Sequence, residues 1–186
     1  MEIRQRLLDH PFYRAWTMGE ITRGQLGAYH QSYAEFIKQV PVYWERIVRG
    51  FRLDSPEAQE VVAEELSHIG LWEEWGRNLQ QSATAPGMED VCREFDSFTP
   101  SQLLGALHAF EIQQPEVART KKDGLLRFYG FREEELKYFD EHENEAKHIT
   151  FGTRLADTHA DRREFEEGFA RGAEVVYRSL DRFVDC

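Results

Sequence analysis

The chain has 186 residues and a formal net charge of -11, with 34 Asp and Glu against 23 Lys and Arg. An acidic surface repels phosphate backbones and anionic lipid headgroups, so nucleic acid and membranes are excluded as expected partners. No apolar run approaches the ~20 residues that span a bilayer, and no apolar core follows the N-terminal Met-Glu-Ile-Arg-Gln-Arg, so a cytoplasmic protein is expected.

The hydrophobic period is helical almost throughout, and no apolar/polar alternation persists long enough to mark a strand. Pro and Gly are sparse and no linker-like stretch divides the chain, which predicts one all-α domain over residues 1–186. Asp9-His10-Pro11 opens a short helix carrying Phe12, Tyr13 and Trp16. Thr22 with Gln25 forms a capping box for a long helix through Leu26, Tyr29, Tyr33, Phe36, Ile37 and Val40. That helix bends at Pro41 and continues to about Gly50. Ser55-Pro56 is a second start signal, and its helix carries Val61, Val62, Leu66, Ile69 and Trp72 to about Gln81. Residues 82–87 read as a loop and 88–95 as a short helix, after which Thr99-Pro100 opens the next. Long helices near 133–159 and 162–184 complete a bundle of about seven. Two cysteines, Cys92 and Cys186, are too few for a disulfide framework or a zinc–thiolate site.

Two Glu-x-x-His pairs stand out on different helices, Glu65 with His68 and Glu145 with His148. Residues three apart share a helix face, and di-iron carboxylate bundles draw ligands from such pairs on two helices. Glu111 lies in the apolar stretch His108-Ala109-Phe110-Glu111-Ile112, where a charge is costly unless paired or ligated. Carboxylate and imidazole donors suit iron or manganese. Pro115 lacks an N–H, so the Glu111 carbonyl loses its helical partner and a kink re-aims that carboxylate. The competing reading is plain: among 34 acidic residues, a single Glu-x-x-His pair is more often a solvated helix face.

The run from Phe110 to Ala118, with Lys121, Gly124-Leu125 and Phe128-Tyr129-Gly130-Phe131, resembles the heme-oxygenase-like dimetal oxidases of the TenA/PqqC-like superfamily. It is most similar to their CADD-like branch of 4-aminobenzoate synthases. Asp9-His10-Pro11-Phe12-Tyr13, Gln25 to Tyr29, His68 to Trp72 and Tyr138 to His142 carry the same resemblance, in order, along nearly the whole chain. The resemblance implies a heme-oxygenase-like bundle with a dinuclear iron or iron/manganese centre on Glu65, His68, Glu111, His142, Glu145 and His148. It further implies molecular oxygen and an external reductant as co-substrates, and 4-aminobenzoate, a folate precursor, as product. Tyr13 matches the tyrosine that supplies the aromatic ring and Lys121 the lysine implicated as amino donor; Tyr138 matches another tyrosine near the site. Without the resemblance, Tyr13 reads as a core aromatic and Lys121, beside Lys122, as part of a solvated face.

The chain departs from the family pattern in three places. His142, Glu145 and His148 are spaced by two residues each, where the family has three and then two. At about 100° per residue the family ligands fall within a ~60° arc, and these spread over ~120°. Either Glu141 replaces His142, or a local bulge restores His142. The segment before His68 is shorter, which leaves Glu64 and Glu65 as rivals. His108 and Phe110 replace tyrosines, and His108 is a candidate hydrogen-bond partner for Glu111. Other readings stay open: an oxidase of a small external substrate, a metal-free TenA- or PqqC-like protein, or a helical module that binds a protein partner. A homodimer is compatible with this sequence, and no particular protein partner is indicated.

Overall fold

The computed structural model describes residues 2–77, 79, 85–144 and 146–184. Among these residues the regular elements are nine α-helices and three short 3-10 turns, with no strand. The helices are α1 (Pro11–Met18), α2 (Arg23–Gly50), α3 (Pro56–Gly76), α4 (Glu89–Ser97), α5 (Pro100–Glu111), α6 (Gln114–Phe128), α7 (Lys137–Glu143), α8 (Ala146–Thr158) and α9 (Arg162–Ser179). None of these helices is long and apolar enough to cross a membrane.

Local chemistry explains where the helices begin. The Thr22 hydroxyl accepts from Gln25 N–H and the Gln25 side chain returns the bond at the start of α2; Thr99 and Gln102 do the same for α5. Ser55 caps α3 with Pro56 at its first position. His10 caps α1 through an acceptor nitrogen: Nδ1 takes the Phe12 N–H at 3.1 Å. That bond leaves the ring proton on Nε2, 3.0 Å from the Asp181 carboxylate.

Helix α2 passes through Pro41 without ending and presents Tyr29, Tyr33, Phe36, Val40, Tyr43 and Trp44 to one continuous aromatic core. It packs along α3 and α5, and α5 lies along α9. The α5–α9 approach depends on missing side chains. A Cβ on Gly168 would sit 1.9 Å from the Gln102 carbonyl oxygen, and one on Gly105 would sit 2.1 Å from that of Phe165. The α5 backbone that carries Glu111 is therefore fixed by backbone-to-backbone contact.

The count of nine exceeds the expected seven because two anticipated helices are broken. After Glu111 the chain turns through Ile112 and Gln113, whose N–H groups bond to His108 and Phe110, and α6 restarts at Gln114 with Pro115 in its first turn. The proline thus produces a break rather than a kink, since it cannot donate to the Glu111 carbonyl. The helix expected over 133–159 begins instead with a 3-10 turn at Glu133–Glu135, and it splits at Asn144. There the Asn144 side chain donates to the Asp140 carbonyl at 2.9 Å and closes α7. Helix α3 stops at Gly76, short of the expected end near Gln81, which lies outside the described residues. Its inward face is Val61, Glu65, His68, Trp72 and Trp75, while Leu66 is 52% exposed. Glu65 and His68 thus face inward beside Val61 and Trp72, while Leu66, which the apolar pattern included, faces solvent.

Candidate metal centre

Glu65 on α3, Glu111 at the end of α5 and His148 on α8 are all buried, and one donor atom from each lies within 4.8 Å of the others. His148 Nδ1 is 2.9 Å from Glu65 Oε1 and 3.8 Å from Glu111 Oε2. His68, one turn beyond Glu65, places Nδ1 3.3 Å from Glu65 Oε2. The Trp44 indole N–H donates to Glu111 Oε1 at 3.2 Å. Burial pushes the Glu65 carboxyl up, but the His148 and His68 imidazoles outweigh it and hold it well below the carboxylate range.

The break at Asn144 separates α7, which carries His142, from α8, which carries His148. His142, on α7, is buried with its ring centroid 4.4 Å from that of His68, while Glu141 is exposed. His142 Nδ1 contacts the Tyr138 carbonyl at 2.6 Å. That bond takes the Nδ1 proton and leaves Nε2 as the nitrogen with a lone pair. His148 lies 6.1 Å from His68, centroid to centroid. Glu145, the remaining member of the expected ligand set, lies outside the described residues. Glu64 is half-buried and bonds to His148 Nε2 at 2.9 Å, on the far side of that ring.

These donors fit a metal ion. A single imidazole N–H cannot donate well to two carboxylates at once, whereas a cation between Glu65, Glu111 and His148 satisfies all three. Two buried carboxylates with imidazoles form an oxygen/nitrogen set suited to iron or manganese. A small void of about 10 Å³ lies against Glu65, His68, Glu111 and His142, walled by Ile37, Val40 and Phe110. A separate surface cleft of about 320 Å³ reaches the outer sides of His68 and His148.

Tyr138 and Trp72 occupy the space next to this cluster. The Tyr138 ring lies 4.1 Å from His142 and 4.8 Å from Trp72, and Trp72 lies 6.0 Å from Tyr29. Beyond Trp72 sits a second buried polar group. Lys121, 5% exposed, donates from Nζ to the Tyr29 hydroxyl at 2.6 Å, and that hydroxyl is 3.5 Å from the Tyr13 hydroxyl. The Lys121 nitrogen is 5.0, 5.5 and 5.9 Å from the ring centroids of Tyr29, Tyr13 and Tyr33. Burial lowers its pKa to about 7. The same burial raises the phenols, Tyr33 to about 12. Lys122 is the residue of this pair that meets solvent-side charge, bonded to Asp140 and Glu133.

A family model described as an iron-containing redox enzyme, of heme-oxygenase type, matches residues 54–180. The chain belongs to this family of iron-containing redox enzymes. Its class is therefore that of an oxidoreductase. The matched span includes every metal-donor candidate and Lys121, while Tyr13 precedes it. Curated relatives extend further. The 4-aminobenzoate synthase of Chlamydia muridarum is 28% identical over 97% of this chain and 86% of its own. That of Nitrosomonas europaea is 27% identical over 95% and 85%. A solved TenA homologue from Pseudomonas syringae pv. tomato superposes with a TM-score of 0.73 at 14% identity, covering 97% of this chain and 87% of its own. That likeness establishes the heme-oxygenase-like fold alone.

Some residues of this family member's site were missed by the sequence reading or read in other roles. His108 does not meet Glu111; its ring packs against Phe165 and Phe169 of α9, at 5.9 and 6.3 Å. Trp44 bonds to Glu111 instead. Tyr29, which the sequence places only in the helical pattern of α2, joins Lys121 to Tyr13. The signal available was the Tyr29/Tyr33 pair, four residues apart on one face of α2, which places two hydroxyls in the interior.

Proposed function

We propose that the chain is a cytoplasmic, oxygen-activating oxidase that forms 4-aminobenzoate from its own side chains, Tyr13 giving the ring and Lys121 the nitrogen. The observation that carries this reading is the sealed cluster of Lys121, Tyr29 and Tyr13. An amine held near neutrality beside protonated phenols is chemically ready, and water is kept out. The names of the relatives support the product, and their similarity spans both Tyr13 and Lys121.

In this reading Glu65, His68, Glu111, His142 and His148, with Glu145, hold a dinuclear iron or iron/manganese centre. Such a centre, when bound, supplies the activation of molecular oxygen with electrons from an external reductant. The chain's own groups do the rest. Trp44 and the α5–α9 contact hold Glu111 in place, and the Tyr138 carbonyl orients His142. Lys121 Nζ donates to the Tyr29 hydroxyl 2.6 Å away, and that hydroxyl lies 3.5 Å from the Tyr13 hydroxyl, so Tyr29 holds the amine and the Tyr13 phenol in one chain. Burial of all three groups keeps water from competing with the lysine nitrogen.

Protein labelled with ring-13C tyrosine and incubated with Fe(II), manganese, reductant and oxygen tests the reading by mass spectrometry. Labelled 4-aminobenzoate is expected from wild type, and none from Tyr13→Phe or Lys121→Arg. Unlabelled product would sink the self-derived origin, and equal labelled product from Tyr13→Phe would sink Tyr13 as its source. The surface cleft reaching His68 and His148 favours a second reading, an oxidase of a small external substrate, for which Tyr13→Phe would leave turnover intact.

A further inference from the structure

Glu64 and Glu65 are consecutive, so on α3 they point about 100° apart. Glu65 enters the core, while Glu64 stays half-exposed at the edge facing α8. Both contact His148, but on different nitrogens: Glu65 lies 2.9 Å from Nδ1 and Glu64 lies 2.9 Å from Nε2. The two ring nitrogens point away from each other across the imidazole, so they cannot serve one metal ion together. The other Glu64 oxygen accepts from Lys147 Nζ at 2.6 Å, and Lys147 also reaches Glu60 at 2.9 Å. The Glu64 carboxylate is thereby fixed from its solvent side.

We infer that Glu64 is a positioning residue for His148: its carboxylate accepts the Nε2–H hydrogen bond and so presents the Nδ1 lone pair to the metal held by Glu65 and Glu111. Metal-ligating histidines commonly give their second nitrogen to such a carboxylate, which fixes ring orientation and strengthens the donor. The inference rests on the metal-site reading above and deepens it. Two adjacent acids that look like rivals in the sequence become a ligand and its support.

Zinc(II), a diamagnetic probe for the same donors, gives a test apart from activity. In zinc-loaded protein labelled with 15N-histidine, the wild type is expected to show a protected His148 Nε2–H signal and a metal-bound Nδ1. Glu64→Ala should lose that protection and weaken zinc binding about 10–100-fold in chelator competition, with the number of bound ions unchanged. Glu64→Gln keeps an acceptor oxygen and should restore both properties. An unchanged Nε2–H signal and affinity in Glu64→Ala overturns the inference. So does loss of a whole metal equivalent in that variant, because Glu64 would then be a ligand. If wild type binds neither zinc nor iron, the metal reading itself falls and this inference with it. Absence of 4-aminobenzoate with metal binding intact would overturn only the proposed product.

Discussion

The cluster of Glu65, Glu111 and His148 and the cluster of Tyr13, Tyr29 and Lys121 are both sealed inside one helical bundle, but they cope with burial in opposite ways. In the first, burial raises the Glu65 carboxyl and two imidazoles more than reverse it, so the charge is kept. In the second, burial lowers Lys121 to about 7 with no acid to reverse it, so the charge is shed near neutral pH. Desolvation acts on both; the difference lies in the neighbours. Kept charge is what a cation needs, and a shed charge is what a reactive amine needs. The contrast can be tested by removing each solution separately.

The largest expected effect comes from removing the kept charge. A Glu65→Leu/Glu111→Leu double variant should bind no iron at this site. The variant also removes the carboxylates that face His68, His148 and the Trp44 indole N–H, so its own stability changes as well. The metal effect is therefore read within each protein, with and without the ion. Metal at a hundred times Kd adds about 2.7 kcal/mol to a protein that binds it, or roughly 5–10 °C for a chain of this size. Calorimetry with and without Fe(II) should show that gain in wild type only. A metal-dependent rise that survives in the double variant would show that the carboxylates do not hold the ion.

Much of this contrast was readable in the sequence, and the reasons are local. Caps such as Thr22/Gln25 and Thr99/Gln102 act within one turn, so helix starts follow directly from residue type. Glu65 and His68 also share one turn, and their common face follows from spacing alone. His142 and His148 do not. Counting along an unbroken helix separates them by ~120°, and that count fails because the chain breaks at Asn144. The apolar period runs on across the break, so the pattern did not reveal it. Pro115 did announce a disturbance beside Glu111, though the outcome was a full break. The role of Tyr29 was hidden for another reason. Its neighbours Lys121 and Tyr13 come from other helices, and only tertiary packing brings the three groups together.

A smaller effect comes from removing the shed charge. Lys121 loses its proton near pH 7 when folded and at about 10.5 when unfolded. Between those values the unfolded chain binds more protons, so this residue makes stability rise with pH. Seen from the other direction, its burial penalty is absent above about 10.5, grows as pH falls, and is complete below about 7. Lys121→Met removes the penalty. Its advantage over wild type should thus widen from pH 10 to 7, reach a few kcal/mol, and stay level below. Urea unfolding across that range measures it. An advantage that does not vary with pH would mean that Lys121 is not desolvated as the structure has it.

The smallest effect tests the link between the kept charge and its scaffold. Trp44 is 1% exposed, and its indole N–H holds one Glu111 oxygen while the other faces His148. Trp44→Phe keeps an aromatic ring against Phe151, 5.8 Å away in wild type, but removes the donor. A hydrogen bond to a charged group is worth about 1.5–3 kcal/mol, and part of that loss is recovered where the carboxylate binds metal instead. Metal affinity should fall about tenfold with stoichiometry intact. The metal-free protein should be hurt more than the metal-bound one, because only in the former is the Trp44 donor lost with no cation facing the Glu111 carboxylate. Melting both forms of Trp44→Phe beside wild type reads that asymmetry. Equal losses in the two forms would assign Trp44 to packing alone, and Glu111 would then depend on the α5–α9 backbone contact and its metal.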